Sequence, residues 1–298
     1  MAYIILFVIA LLVIFVIAVI HHDMNNFIVT RYEVHSDKLK KDAVFCLLSD
    51  LHENSFGEGN CRLIKAIDDI SPDVILIAGD MLTASQELGL NRYKEIADFV
   101  AELCSRYPVY AANGNHENKM DILEGFKQIA YRGYEKKITD AGCVVLRNQG
   151  TYLEDLNMEI HGLELGHEFF RKIIKYKMPE GYIEQFFGVP CADRFQLLIA
   201  HNPIFFDRYK EWGADLTVSG HVHGGIIRLP ILGGVISPAL TLFPKYDGGL
   251  YEIGESKMIL SKGLSTHSIR VRFNNPGEIC VINLIADKNK YKRNNNGA

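Results

Sequence analysis

The chain has 298 residues, 48% of them hydrophobic and 23% charged, and its 32 basic and 36 acidic residues leave a formal net charge of −4. Such a composition belongs to a globular protein of one large or two ordinary domains. It offers no basic face of the kind that nucleic-acid binding needs, so a phosphate-bearing ligand has to find its positive charge locally.

The N-terminus departs from the globular pattern. Residues 3–20, YIILFVIALLVIFVIAVI, carry no charge, and as a helix they extend about 27 Å, close to the roughly 30 Å core of a bilayer. A signal peptide wants a basic leader, a shorter apolar stretch and a small-residue cleavage site, none of which is clear here. The expectation is an uncleaved transmembrane anchor over residues 1–24. Arg31, Lys38, Lys40 and Lys41 follow it, with only the terminal amine before it. The positive-inside tendency then expects a single-pass cell-membrane protein whose body lies on the cytoplasmic side. Residues 25–42 read as a linker with an edge strand.

A repeating theme begins at residue 43. AVFCLL (43–48), VILIA (74–78), VYAA (109–112), FQLLIA (195–200) and DLTVS (215–219) are short apolar runs that read as buried strands. Between the first two, CRLIKAIDDI sets Leu63, Ile64, Ile67 and Ile70 on one helical face, and Ser71-Pro72 stops it. NRYKEIADFVAELCSRY (91–107) repeats the pattern through Ile96, Phe99, Val100 and Leu103. Strands alternating with helices indicate an α/β architecture.

Later segments are richer in strands: a hairpin within 152–165, then antiparallel strands within 249–264 and 278–286. Residues 168–177, EFFRKIIKYK, place Phe169, Phe170, Ile173 and Ile174 on one helical face and Arg171, Lys172, Lys175 and Lys177 elsewhere. That pattern suits a helix packed on the domain, or one lying on an anionic bilayer or gripping a lipid head group. The tail 287–298 is polar and basic and reads as disordered. No repeat or linker interrupts 43–286, which is taken as one domain. The six cysteines are scattered without a C-x-x-C pair, so free thiols and a reducing compartment are expected.

Each of the five buried strands runs into a polar cluster: Ser49-Asp50-Leu51-His52-Glu53, Gly79-Asp80, Gly114-Asn115-His116-Glu117, His201-Asn202-Pro203, and Gly220-His221-Val222-His223-Gly224-Gly225. In α/β sheets ligands bind beyond the carboxyl ends of the strands, so these loops should converge on one rim. The converging donors are nitrogen and oxygen, suited to Mn, Fe, Zn or Ni, with no cysteine among them. Four ligands fill one tetrahedral site; seven or eight exceed it and point to two ions.

The order of these motifs, D-x-H, G-D, G-N-H-[DE], H and G-H-x-H, resembles the calcineurin-like metallophosphoesterase superfamily over residues 43 to about 286. It is similar to bacterial phosphodiesterase-type members with an N-terminal membrane segment, although Val222 replaces their usual threonine and Ile226 stands where a polar residue is common. The resemblance implies a four-layer αββα sandwich of two mixed sheets flanked by helices. It implies that Asp50, His52, Asp80 and His223 bind one divalent ion, and that Asp80, Asn115, His201 and His221 bind a second. His116 would face the substrate and protonate the leaving oxygen, with Asn115 beside it. Arg270 or Arg272 could meet the phosphate or serve a surface or structural role, and Glu53 and Glu117 could orient histidines or be plain surface glutamates. The implied activity is hydrolysis of a phosphodiester or pyrophosphate in a small-molecule or lipid-linked substrate. The alternatives are a phosphomonoesterase, a single-metal hydrolase, or a catalytically silent scaffold of the same fold.

Overall fold

In the computed structural model, residues 1–84, 90–171, 176–230, 232–237, 241–266 and 271–287 are described. One six-stranded sheet runs β1 (Phe27–Ser36), β14 (Gly277–Ala286), β2 (Ala43–Leu48), β3 (Val74–Ala78), β4 (Val109–Ala112) and β5 (Val144–Val145). Only the β14–β2 pair in it is antiparallel. The second sheet runs β12 (Gly249–Ile253), β13 (Ser256–Leu260), β9 (Leu216–Ser219), β8 (Phe195–Ala200), β7 (Met158–Leu163) and β6 (Gln149–Leu153). Its two outer pairs are antiparallel hairpins and its centre is parallel. A small ribbon, β10 (Ile227–Leu229) with β11 (Gly233–Ile236), follows the last histidine motif.

The layering follows from side-chain alternation along strands buried on both faces. Phe45 and Leu47 of β2 meet Leu197 and Ile199 of β8 and Val218 of β9 between the sheets. The alternate residues Cys46 and Leu48 join Leu63 and Ile67 of α2 (Cys61–Ile70) and Phe99 and Val100 of α3 (Leu90–Cys104). On the far side, Leu198 and Ala200 pack with Phe206, Tyr209 and Trp212 of α7 (Phe206–Trp212). Two mixed sheets flanked by helices are thus the observed architecture. All six cysteines are free thiols.

The N-terminal helix α1 (Ala2–Asn25) is exposed along its apolar length, from Tyr3 through Ile17. Its last turn differs, because Asp23 is buried against the domain. The segment expected to be a linker with an edge strand contains a ten-residue strand, β1, paired in parallel with β14 at the sheet edge. Its signal was weak because an edge strand buries few residues: of these ten, only Val34 is fully buried.

Two further expectations need correction or fall outside the described residues. Over 168–177, the described part is one short turn of tighter 3₁₀ helix, His167–Phe170, after which Arg171 is extended at φ −67°, ψ 130°. Residues 172–175 lie outside the described residues. The two phenylalanines of the expected face go to different places. Phe169 packs against Tyr182 and Phe205, while Phe170 turns to His221. Tertiary contacts override the helical period there. The tail beyond Asp287 also lies outside the described residues.

Candidate metal centre

Asp50 and His52 follow β2, Asp80 follows β3, and Asn115 and His116 open α4 (Asn115–Ile122) just past β4. His201 follows β8, and His221 and His223 follow β9. Parallel pairing of β2, β3 and β4, and of β8 and β9, brings these ends to one rim. The two sheets are stitched together there. The His201 ring donates through Nδ1 to the Ala78 carbonyl at 2.6 Å, and the His221 N–H donates to Asp50 Oδ1 at 3.1 Å.

The backbone under these residues is strained. Asp50, His52, Asp80, His221 and His223 all adopt positive φ, between 49° and 75°, at a cost of roughly 1–3 kcal/mol each. Loop-to-loop bonds hold them there: Asp50 N–H to Gly79 O at 3.0 Å, His52 N–H to Asp80 O at 3.2 Å and Gly220 N–H to His201 O at 3.1 Å. Two glycines are required by close approach. A Cβ on Gly114 would strike the Asp80 carboxylate, and one on Gly220 would strike Ser49 Oγ and Asp50 Oδ2.

The site is dry. Asp50, His52, Asp80, His116, His201 and His223 are all buried, and the donors fall into overlapping groups: Asp50–His52–His223, His52–Asp80–His116 and Asp80–His201–His221. His52 and Asp80 each belong to two of them. His201 Nε2 is 3.0 Å from Asp80 Oδ2 and His223 Nε2 is 3.5 Å from Asp50 Oδ1. His52 Nε2 lies 3.9 Å from Asp50 Oδ1 and 4.0 Å from Asp80 Oδ2.

Hydrogen bonds at the far side of each ring determine which nitrogen faces the centre with a lone pair. His201 Nδ1 and His223 Nδ1 both meet backbone carbonyls, Ala78 O at 2.6 Å and Ser265 O at 2.7 Å. Carbonyls only accept, so both rings carry a proton on Nδ1 and turn Nε2 inward. His52 Nδ1 bonds Thr83 Oγ1 at 3.0 Å. His116 is the reverse, because its Nδ1 accepts the Ala84 N–H at 2.8 Å. Its one proton in the neutral state is therefore on Nε2, which makes it a donor and not a ligand.

This donor set fits divalent cations. Among the described residues, Asn115 Oδ1 is buried without a hydrogen-bond partner, an arrangement that costs free energy unless something satisfies it. His52 Nε2 and His223 Nε2 approach within 3.4 Å of each other. Electrostatics agree. Burial alone would raise the Asp80 carboxyl, but His201, His116 and His52 outweigh it and hold it well below the usual carboxylate range. Burial would lower His201, and Asp80 instead lifts it to about 10. The field at this point therefore calls for positive charge. Burial depresses His116, and it depresses His221 strongly with help from His201.

The two glutamates act on backbone. Glu117, expected to orient a histidine, accepts from the N–H groups of Asp80 at 2.9 Å, Leu82 at 2.9 Å and Gly114 at 3.0 Å, and so ties the second and third loops together. Glu53 accepts from Thr83 N–H and thereby reaches His52 only through Thr83. Arg270 lies outside the described residues. Arg272 is fully buried and spends its guanidinium on backbone carbonyls, among them Ser265 O at 2.8 Å and Lys262 O at 2.7 Å, so it does not meet a phosphate. Sequence reasoning missed Thr83 and the carbonyls of Ala78 and Ser265. Thr83 stands three residues past Asp80 and was findable, whereas a carbonyl leaves no residue-type signal. Beside Asn115 opens a cavity of about 320 Å³, whose walls include Lys119, Arg147, Phe170, Tyr182 and Phe186.

A family model described as calcineurin-like phosphoesterase matches residues 43–225, the stretch that holds all five motifs. The chain is 26% identical over 289 residues to a metallophosphoesterase of Campylobacter jejuni, covering 93% of this chain and 69% of that one. It is 25% identical to the phosphodiesterase YaeI of Escherichia coli, covering 72% of this chain and 71% of that one. It is 21% identical to the UDP-2,3-diacylglucosamine pyrophosphatase LpxG of Chlamydia muridarum, covering 79% and 81%.

The crowding at Gly220 gives a direct test of how tightly the rim is built. Gly220→Ala should lower stability by about 1–3 kcal/mol through overpacking and weaken binding of added Mn²⁺. Gly133→Ala, on α5 (Phe126–Asp140) with open space around it, should be neutral or stabilising by up to about 1 kcal/mol. Thermal unfolding of both variants and Mn²⁺ titration check this, and equal behaviour of the two would contradict it.

Proposed function

The chain belongs to the calcineurin-like phosphoesterase family, metal-dependent hydrolases of phosphate esters, and from that premise we propose a membrane-anchored, dinuclear hydrolase of phosphodiesters or pyrophosphates. Asp50, His52, Asp80 and His223 hold one ion, and Asp80, Asn115, His201 and His221 hold the other. The observation that carries this reading is Asp80, a buried carboxylate with donor groups on either side of it.

Two divalent cations in these positions supply neutralisation of the phosphoryl oxygens and a lowered pKa for the attacking water. The chain's own residues do the rest. Asn115 and the strained loops fix where the phosphoryl group sits. His116 carries its proton on Nε2, held in that tautomer by the Ala84 N–H, and passes it to the departing oxygen. Closure of the rim by β-strand ends keeps bulk water out, which strengthens each of these interactions.

The substrate reading draws on the relatives and on the chain's two apolar features. One relative is named a phosphodiesterase and another a pyrophosphatase of a diacylated nucleotide sugar. The exposed apolar helix and the aromatic wall of the cavity beside Asn115 suit a substrate with a lipid portion. We read residues 1–24 as the anchor, 43–286 as the hydrolase domain, and the cytoplasmic side as its location, on the strength of Arg31, Lys38, Lys40 and Lys41.

Metal analysis of the purified chain should find two ions. Asp80→Asn should lower hydrolysis at least about 100-fold, since the ions contribute several kcal/mol and each 1.4 kcal/mol is about tenfold; a variant with undiminished hydrolysis and metal content would refute the shared-ligand reading. A panel of lipid-linked pyrophosphates, soluble diesters and soluble monoesters is expected to show the highest kcat/KM on the first class. Turnover of monoesters alone would overturn that preference. For sidedness, the exposed Cys61 and Cys191 should react with a membrane-impermeant maleimide only after cell lysis. Labelling in intact cells would place the domain outside.

A further inference from the structure

The apolar helix does more than end near the domain. Asp23 sits in its last turn, where a carboxylate opposes the helix dipole and gains nothing from it. It is nevertheless 5% exposed, and a buried acid is costly without a partner. Its partners are the neighbouring His22 Nδ1, at 3.0 Å from Oδ1, and the Asn275 backbone N–H, at 2.7 Å from Oδ2. A second tie fixes the same junction, because Arg62 donates to Asn25 O at 3.0 Å and to Asn26 Oδ1 at 2.7 Å.

Asn275 in turn grips the last histidine loop. Its carboxamide donates to His223 O at 2.8 Å and Gly225 O at 2.7 Å. Arg272 donates to Asn275 O at 2.5 Å and to Ser265 O at 2.8 Å, and reaches His223 O at 3.3 Å. Ser265 O is the same carbonyl that accepts from His223 Nδ1 at 2.7 Å. One small cluster therefore holds both the carbonyl of His223 and the carbonyl that sets its ring tautomer. It does so at a residue whose φ of 56° needs external support. Arg and Asn are suited to this because a guanidinium fork and a carboxamide reach several carbonyls at fixed geometry.

We propose that Asp23, Asn275 and Arg272 are positioning residues for His223, and that through them the seating of the apolar helix sets the affinity of the ion that His223 holds. The inference rests on His223 being a metal ligand. It makes the helix a structural part of the centre as well as an anchor, so that metal affinity depends on whether the helix end is docked.

The test uses the full chain in detergent micelles and Mn²⁺ alone as the probe, followed by calorimetry and by electron paramagnetic resonance. Asp23→Ala should weaken one of two Mn²⁺ binding events about tenfold, the lower end of the 10–100-fold usual for groups that orient a ligand, and leave the other unchanged. Asp23→Asn keeps an oxygen for the Asn275 N–H and should bind as the parent does. In a His223→Ala background, Asp23→Ala should have no further effect. Arg272→Lys keeps the charge and loses the fork, and should reproduce the selective loss, which covers the case of an Asp23→Ala chain that does not fold. If His223→Ala weakens one event while Asp23→Ala and Arg272→Lys only lower the unfolding temperature, the coupling is wrong and the ligand reading stands. If His223→Ala changes neither event, the ligand reading fails and the coupling fails with it.

Discussion

Two buried carboxylates, Asp50 and Asp80, face a ring of imidazole nitrogens, and the rest of the rim is arranged around that constraint. Groups of this kind are costly to bury unless opposite charge joins them. His201 shows the pull most directly, since Asp80 raises it against the effect of its own burial. A fold that places such groups at the convergent ends of five strands has to hold them against their mutual repulsion. It does so with left-handed backbone at the donors, glycines where chains touch, and Glu117 binding three backbone N–H groups across two loops.

Residue type alone does not assign roles within this ring. His116 and His201 are both buried imidazoles, yet their Nδ1 atoms play opposite parts, one accepting and the other donating. The difference is made on their outer faces, by an N–H from Ala84 and a carbonyl from Ala78. Main-chain groups therefore decide the chemistry of the side chains, which explains why strand ends serve so well as a site: they present both N–H and C=O groups at fixed positions.

The N-terminal helix and the C-terminal strand meet the same loop from outside. β14 lies between β1 and β2 in the first sheet, and the turn that precedes it carries Arg272 and Asn275. Through Asp23 that turn also receives the helix end. Residues near the two termini thus converge on His223, although more than two hundred positions separate them in the chain.

Much of the fold was legible because its central strands are buried on both faces and so appear as unbroken apolar runs, each ending in metal-type donors. The antiparallel pairs around 152–165 and 249–264 were legible through their turns. β1 was only half legible, since an edge strand has little burial to imprint a period. The 168–177 stretch misled for the opposite reason: a helical period was present, but Phe169 and Phe170 are claimed by separate partners. Arg272 could not be told from a phosphate-binding arginine, because a guanidinium has the same sequence signature whether it faces solvent or carbonyls. By itself the sequence determined the class of architecture, the family and the set of donors, since these depend on residue type and order along the chain. Only the tertiary structure decided tautomers, the loop-locking role of Glu117 and the link from Asp23 to His223, because those depend on hydrogen bonds to backbone atoms brought together from distant parts of the chain.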